Sequence, residues 1–491
     1  MSINNYSDSD SDFEFDMDDI TDITQSDYNL EVEMRNNTIQ VELPKISYRR
    51  PDEIVVDQEL LQKILMQLTF GRNIIFHGPG GTGKTTLIRA LYDILTIEYE
   101  YVVYATATTG IAALNMSSES MRAMTLHSWA CIGIGEDSAE KLIQRVMNSS
   151  DGRRLWKDTN ILIIDEVSML GCKLFEKLDK IGRAIRNKDT FFGGLQLIVV
   201  GDFLQLPPVK DKFVFEHPLW QEADFYPFNF YECKRYDNTD YFNILLAIRE
   251  ARPKKSHIKI LYERVHAYDE LMKQLETNND STTIRPTILF PIKVDVNSYN
   301  NQKLDELESS SLVFEAYDYF ITHKQRVMEM PDKYKYLVEE WIPDKIELKI
   351  GAQVMLKANL DIRNGFVNGS RGVVTDISSE IVTVKFLNDR VLRVKKVTWQ
   401  SVDTYGRFSR TQIPLILAWA TTIHKCQGLT LDYVICDLGT RIFTCGQAYV
   451  ALSRVRNLQG LFISALHIPS ISCSKLALDY SHKLLENHKN E

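Results

Sequence analysis

The chain has 491 residues, yet no run approaches the about 18 uninterrupted apolar residues that mark a membrane span. Its start, MSINNYSDSD, has neither the basic n-region of a signal peptide nor the arginine-rich amphipathicity of a transit peptide. The expected location is therefore intracellular, in nucleus or cytoplasm, with no mitochondrial targeting segment and no membrane partner. Seven cysteines, at 131, 172, 233, 426, 436, 445 and 473, include no C-x-x-C pair. That argues against a zinc ribbon, an iron–sulfur cluster and a disulfide framework, and leaves reduced, buried thiols as the expectation. There is no internal repeat.

Positive charge is also short, with a formal net charge of −9. The deficit is local. Residues 1–50 hold 12 Asp and Glu against 4 Lys and Arg, while the other 441 residues hold 54 against 53. A near-neutral body can still carry a basic channel, because binding follows the local field and not the sum. The segment SDSDSDFEFDMDDITDITQSD has no trusted period, so residues 1–47 are expected to form an acidic disordered tail, with a segment that docks a protein partner or mimics DNA as the alternative.

What the chain does contain is enough apolar residue, 44%, to bury more than one core at this length. Residues 56–71 place apolar side chains at helical spacing, NIIFHG (73–78) reads as a strand, GPGGTGKT as a loop and TTLIRALYDIL (85–95) as a helix. YVVYATATTGIAALNM, NILIIDEVSML and LQLIVVGDFLQLPPV add near-continuous apolar strands ending in polar residues. That pattern implies an α/β fold with a parallel sheet covered on both faces. A second α/β series begins at 231–250 and 287–304 and resumes at 415–465. Between them, residues 345–400 alternate like short antiparallel strands joined by Gly/Asn turns, which implies a small β-barrel insertion. The expected division is 48–230 for the first domain, 231–310 and 411–491 for the second with a C-terminal helix, and 311–410 for the insertion.

GPGGTGKT fits G-x-x-x-x-G-K-[ST], in which backbone N–H groups close around phosphates. Gly78, Pro79, Gly80, Gly81, Thr82, Gly83, Lys84, Thr85 and Thr86 are thus expected at a nucleotide, with Lys84 on the β- and γ-phosphates and Thr85 on Mg²⁺. Asp165 at a strand end would hold the same ion, and Glu166 would orient or deprotonate the attacking water. Gln205, in GDFLQLPP, is a neutral amide suited to sensing a γ-phosphate; a plain turn glutamine is the alternative. ATP and Mg²⁺ are the implied cofactors.

The strings GPGGTGKT, ATTGIAA, TLHSWACIGIG, LIIDEVSML, FGGLQLIVVGDFLQLPPV, NGSRGVV, IHKCQGLTL and AYVALSRV, in that order, resemble the Pif family of superfamily 1B DNA helicases, relatives of the RecD-type enzymes. The resemblance runs from about residue 56 to 465. It implies two RecA-like P-loop NTPase domains closing over ATP, with Arg454 and Arg235 as arginine fingers. Arg235 is followed by Tyr236 where the family usually has glutamine. The resemblance also implies an adenine-reading glutamine, Gln62 or else Gln58. Thr108, Thr109, Thr125, His127, Ser128 and Trp129 match the family's first-domain strand-binding loops, and His424, Lys425, Gln427 and Gly428 the second-domain loop. Cys426 stands where serine is common. Trp129 either stacks on a base or sits in a core. Lys385, Arg390, Arg393, Lys395 and Lys396 give the insertion a basic face, either an exit path for a strand or a solvated surface. Residues around 130–140 are expected to supply the pin that splits a duplex.

The implied activity is ATP-dependent 5′-to-3′ translocation on single-stranded DNA, unwinding forked or 5′-overhang duplexes in replication, recombination or repair, by a monomer. A nucleic-acid-stimulated translocase that remodels RNA or strips proteins without unwinding is the rival.

Overall fold

The computed structural model describes residues 57–236, 239–277, 284–322, 326–361, 364–403 and 406–487. The acidic tail expected over residues 1–47 lies outside them.

Six parallel strands form the first sheet: β1 (Ile74–His77), β2 (Val103–Ala107), β3 (Met124–Thr125), β4 (Ile161–Asp165), β5 (Gln196–Gly201) and β6 (Tyr226–Asn229), in the spatial order β3-β2-β4-β5-β1-β6. The strands read as continuous apolar runs because both faces are covered, and successive side chains serve different cores. Ile74, Phe76, Ile161, Ile163, Ile198 and Val200 pack with Leu87, Ile88 and Leu91 of the helix Lys84–Ile97. Their neighbours Ile75, Leu162, Ile164, Leu197 and Val199 pack on the other side with Phe175, Leu178 and Ile181 of the helix Cys172–Arg186. This two-sided burial holds the carboxyl ends of β1, β4 and β5 together, and these ends carry the phosphate loop, Asp165 and the segment leading to Gln205.

The second sheet is also parallel. Its strands, in spatial order, are Ala420–Thr422, Thr287–Phe290, Val434–Leu438 and Leu461–Leu466. The insertion between them is antiparallel, as its alternating pattern implied. Arg371–Ile377, Ile381–Phe386 and Val391–Lys395 form a meander completed by Gln353–Leu356 and Leu415–Leu417. A further antiparallel sheet joins Val327–Glu329, Tyr317–Thr322, Gly406–Gln412 and Val397–Asp403. Among the described residues no helix is long and apolar enough to cross a membrane.

The C-terminal helix Lys475–Asn487, grouped with the second domain on sequence, folds back onto the first. Ala477, Leu478 and Leu484 enter the core beneath the first sheet, the Tyr480 ring stacks on Phe215 at 4.3 Å, and Asn229 donates to the Leu484 carbonyl at 2.9 Å. An apolar stripe that finds its complement 250 or so residues upstream leaves no local sign in the sequence.

Candidate nucleotide and nucleic-acid site

The loop between β1 and the helix Lys84–Ile97 turns through Gly78 (φ 147°), Gly81 (φ 85°) and Gly83 (φ 88°). A side chain at Gly78 would lie 2.1 Å from the Phe230 carbonyl oxygen, and one at Gly81 2.8 Å from the Arg235 Cβ, so glycine is required for packing as well as for φ. The loop ends at the N-terminus of a 14-residue helix, where free N–H groups and the helix dipole favour an anion. Lys84 Nζ donates to the carbonyls of Gly78 and Pro79, each at 2.7 Å, and burial lowers its pKa to about 8.

Asp165 ends β4, and Glu166 follows it with a left-handed backbone (φ 55°). Burial, then the neighbouring Glu166, push the Asp165 carboxyl up to about 7. A cation would relieve this adjacent pair of acids, and the Asp165 carboxylate with the hydroxyl expected from Thr85 is the kind of oxygen donor set that would hold a hard ion such as Mg²⁺.

Gln205 is buried, and its Oε1 has no partner. Its main chain rests against Gly446, where a side chain would come within 2.4 Å of the Gln205 carbonyl oxygen. Gly446 starts the short helix Gln447–Leu452, which leads to Arg454. Arg454 is fully buried and donates to the carbonyls of Val450 (2.6 Å), Cys426 (3.1 Å) and Leu429 (3.2 Å) and to the Ser453 hydroxyl (2.6 Å). Its Nη2 and Gln205 Nε2 each stand 3.9 Å from the place a Gly80 Cβ would occupy. Arg235 lies along the loop's other flank: its N–H donates to the Gly81 carbonyl at 2.9 Å, and its buried Nη1 has no partner. The Gln205 Nε2 donor beside Gly80, the unpartnered Arg235 Nη1, the glycine loop and the paired acids, through a bridging cation, suit a polyphosphate held between the two lobes.

Sequence reasoning missed the residues that join those lobes. Tyr449, inside the quoted AYVALSRV, accepts the Gly80 N–H on its hydroxyl at 3.0 Å. Behind the loop, Arg249 grips Asp202 through Nε and Nη2 (2.7 Å at closest), and Ser481 of the C-terminal helix reaches His77 Nε2 at 2.7 Å. Burial opposes the Asp202 charge, but Arg249 outweighs it and holds the carboxyl below the ordinary range. Burial, reinforced by Arg249, pushes His77 down to about 3, so it packs as a neutral ring.

The expected DNA residues divide. Thr108 donates its hydroxyl to the Glu166 carbonyl at 3.0 Å, and Thr109 and Thr125 cap the helices Gly110–Met116 and Leu126–Ala130. The Thr125 and Ser128 hydroxyls meet at 2.8 Å, with His127 half-buried beside them. On the second lobe Lys425 is exposed and His424 stacks on Phe443 at 5.6 Å. Phe443, itself 62% exposed, is a further aromatic that no motif pointed to.

Several expectations need correction. Trp129 cannot stack on a base: it is fully buried, 4.6 Å from Trp156, because the helix Leu126–Ala130 turns that side toward the first core. Trp129→Ala is expected to cost about 3–5 kcal/mol of stability in denaturant unfolding. Gln427 and Gly428 face the nucleotide side instead of an open groove. Gln427 is buried and donates to Glu166 Oε2 at 2.9 Å, and a Cβ on Gly428 would lie 3.4 Å from Glu166 Oε1. Gln62 and Gln58 both lie exposed on the helix Gln58–Thr69, so both stay accessible to an adenine and the choice between them is open. Residues 130–132 belong to the core, so only the turn after them, with Ile134 exposed, retains the pin's position. On the insertion, Lys385 pairs with Asp389, Arg390 with Asn364 and Lys396 with the Glu315 carbonyl, while Arg393 and Lys395 are exposed on one face of their strand.

A family model described as PIF1-like helicase matches residues 55–222, and one described as the 2B domain of the DNA helicase Pif1 matches residues 339–377. The chain is 35% identical over 455 residues to the ATP-dependent DNA helicase PIF1 of Xenopus laevis, covering 90% of this chain and 66% of that protein. The crystal structure of Pif1 helicase from Candida albicans superposes with a TM-score of 0.73 at 29% identity, over 88% of this chain and all of that one. This chain belongs to the PIF1-like helicase family. The Bacteroides Pif1 helicase in complex with ADP-AlF3 and ssDNA aligns with a TM-score of 0.60 at 26% identity, over 89% of this chain and 98% of that one. The chain spans slightly less than two thirds of the Xenopus PIF1 protein's length. The Pif1 2B match falls on the insertion, within a segment that holds Gln353–Leu356 and Arg371–Ile377.

Proposed function

We propose that this chain is an ATP-dependent DNA helicase that moves 5′-to-3′ on single-stranded DNA. The observation that carries the reading is that the second lobe reaches the first lobe's phosphate loop and the acid beside it: Tyr449 on the Gly80 N–H and Gln427 on the Glu166 carboxylate. A cleft built in this way changes whenever its lobes shift, so events at the phosphate end can be converted into relative movement of two DNA grips.

In this reading Lys84 and the loop amides bind the β- and γ-phosphates. Mg²⁺, held by Thr85 and Asp165, supplies charge neutralisation at the phosphate oxygens when bound. Glu166 takes the proton of the attacking water, Gln205 senses the γ-phosphate, and Arg454 with Arg235 stabilise the charge that develops on phosphoryl transfer. Thr109, Thr125 and Ser128 on one lobe and His424 and Lys425 on the other hold the strand by its phosphates without reading sequence. The relation to a Pif1 helicase in complex with ADP-AlF3 and ssDNA supports both halves of the proposal. The insertion's exposed Arg393 and Lys395 favour a strand path along that face. Hydrolysis of ATP by the purified chain is expected to require Mg²⁺ and to rise on addition of single-stranded DNA; indifference to DNA would contradict the proposal.

A further inference from the structure

The string NGSRGVV (368–374) has so far no task. In the fold it is the turn where the insertion meets both lobes. Asn368 donates from Nδ2 to Asn115 Oδ1 at 3.4 Å, and its neighbour Asn359 donates to the Leu114 carbonyl at 3.1 Å, both at the end of the first-lobe helix Gly110–Met116. The two asparagines brace each other, the Asn368 N–H donating to Asn359 Oδ1 at 2.8 Å. The same helix end is held from beneath by the phosphate-loop helix, since Arg89 donates to the Asn115 carbonyl at 2.6 Å.

On the second lobe the turn is equally engaged. Gly369 (φ 94°) fits against Leu429, whose Cδ2 would lie 3.3 Å from a Cβ there. Arg371 is buried, sits 4.5 Å from the Tyr433 ring centroid, and donates to Thr287 Oγ1 at 3.2 Å. Leu429 immediately follows the Gln427–Gly428 pair that covers the Glu166 carboxylate. Asn115 closes the circuit: its Nδ2 is buried without a partner, 3.4 Å from the position of a Gly428 Cβ, which is itself 3.4 Å from Glu166 Oε1.

We propose that Asn368, Asn359 and Asn115 form an amide latch by which the inserted sheet sets how the 427–428 loop rests on Glu166. They are positioning residues: the latch touches no reacting atom, but it fixes the depth of the loop whose glutamine orients the carboxylate and whose glycine leaves space beside Oε1. The geometry makes the insertion part of the hydrolytic unit, so that a strand pulling on the insertion is felt at the acid. The inference rests on the proposed role of Glu166 as base.

The test is steady-state ATP hydrolysis with saturating single-stranded DNA, together with oligonucleotide binding. Asn368→Ala is expected to lower kcat about 2- to 30-fold, the range for residues that couple sites without touching a ligand, with KM for ATP and oligonucleotide affinity unchanged. Asn115→Ala, made from the opposite lobe, should give the same loss, and the double variant should lose no more than either alone. Parental kcat in both single variants, losses that multiply, or a fall in DNA affinity or a rise in KM matching the fall in kcat would each overturn the latch. Glu166→Gln separates the two ideas. If that change abolishes turnover while the latch variants behave as parent, only the latch is wrong; if it leaves turnover intact, the underlying assignment of the base is wrong.

Discussion

Glu166→Gln is expected to lower the maximal rate of ATP hydrolysis by about 10²–10⁴-fold, the usual contribution of a positioned general base, while single-stranded DNA binding persists. Glu166 occupies a left-handed backbone position at the end of β4, a conformation costing on the order of 1–3 kcal/mol that a bulky residue adopts only where its surroundings impose it. Those surroundings are the Thr108 hydroxyl on its carbonyl and the Gln427 amide on its carboxylate. Glutamine keeps the shape and an oxygen for Gln427 but cannot take a proton. The loss should therefore fall on kcat, measured at saturating ATP and DNA, with labelled-oligonucleotide anisotropy close to parent. Parental turnover would remove Glu166 from the role of base.

Arg454→Lys should have a still larger effect, about 10³–10⁵-fold in kcat, the range attributed to an arginine finger. Lysine keeps the charge and three donors on one compact nitrogen but loses the planar fork. That fork now reaches three main-chain carbonyls and the Ser453 hydroxyl while its Nη2 lies close to Gly80. Alanine would strand those carbonyls in a buried setting and confuse lost stability with lost chemistry. Lysine retains a donor there, so the fold should survive, with circular dichroism unchanged. A loss below tenfold in a folded variant would assign Arg454 to structure alone.

Local features of the site were legible in the sequence because they are local in space. GPGGTGKT needs its glycines within eight positions, and Asp165 and Glu166 are adjacent at the end of an apolar strand. The alternation of apolar strands with helices gave the parallel sheets, and period-two patterning with Gly/Asn turns gave the antiparallel insertion. What could not be read was direction. The same short segment, LHSWA, turns Trp129 into the core and leaves His127 half-buried, and five residues are too few to reveal which face of a helix is wet. Gln427 looked like a DNA contact because its neighbours Lys425 and His424 do; only the fold brings it to Glu166, 261 residues away. Tyr449 and Asn368 lay inside quoted strings but acquired partners only when the second lobe and the insertion closed on the first.

In the proposed function this shared construction ties the cleft to the residues that would hold DNA, so turnover and strand movement should be coupled. The most direct test is displacement of one strand from duplexes bearing either a 5′ or a 3′ single-stranded overhang, with Mg²⁺ and ATP, in parallel with ATP turnover. DNA-stimulated hydrolysis and displacement from the 5′-overhang duplex only are expected. Stimulated hydrolysis with no displacement from either duplex would contradict the helicase reading, and displacement from the 3′ overhang alone would reverse the proposed direction of movement.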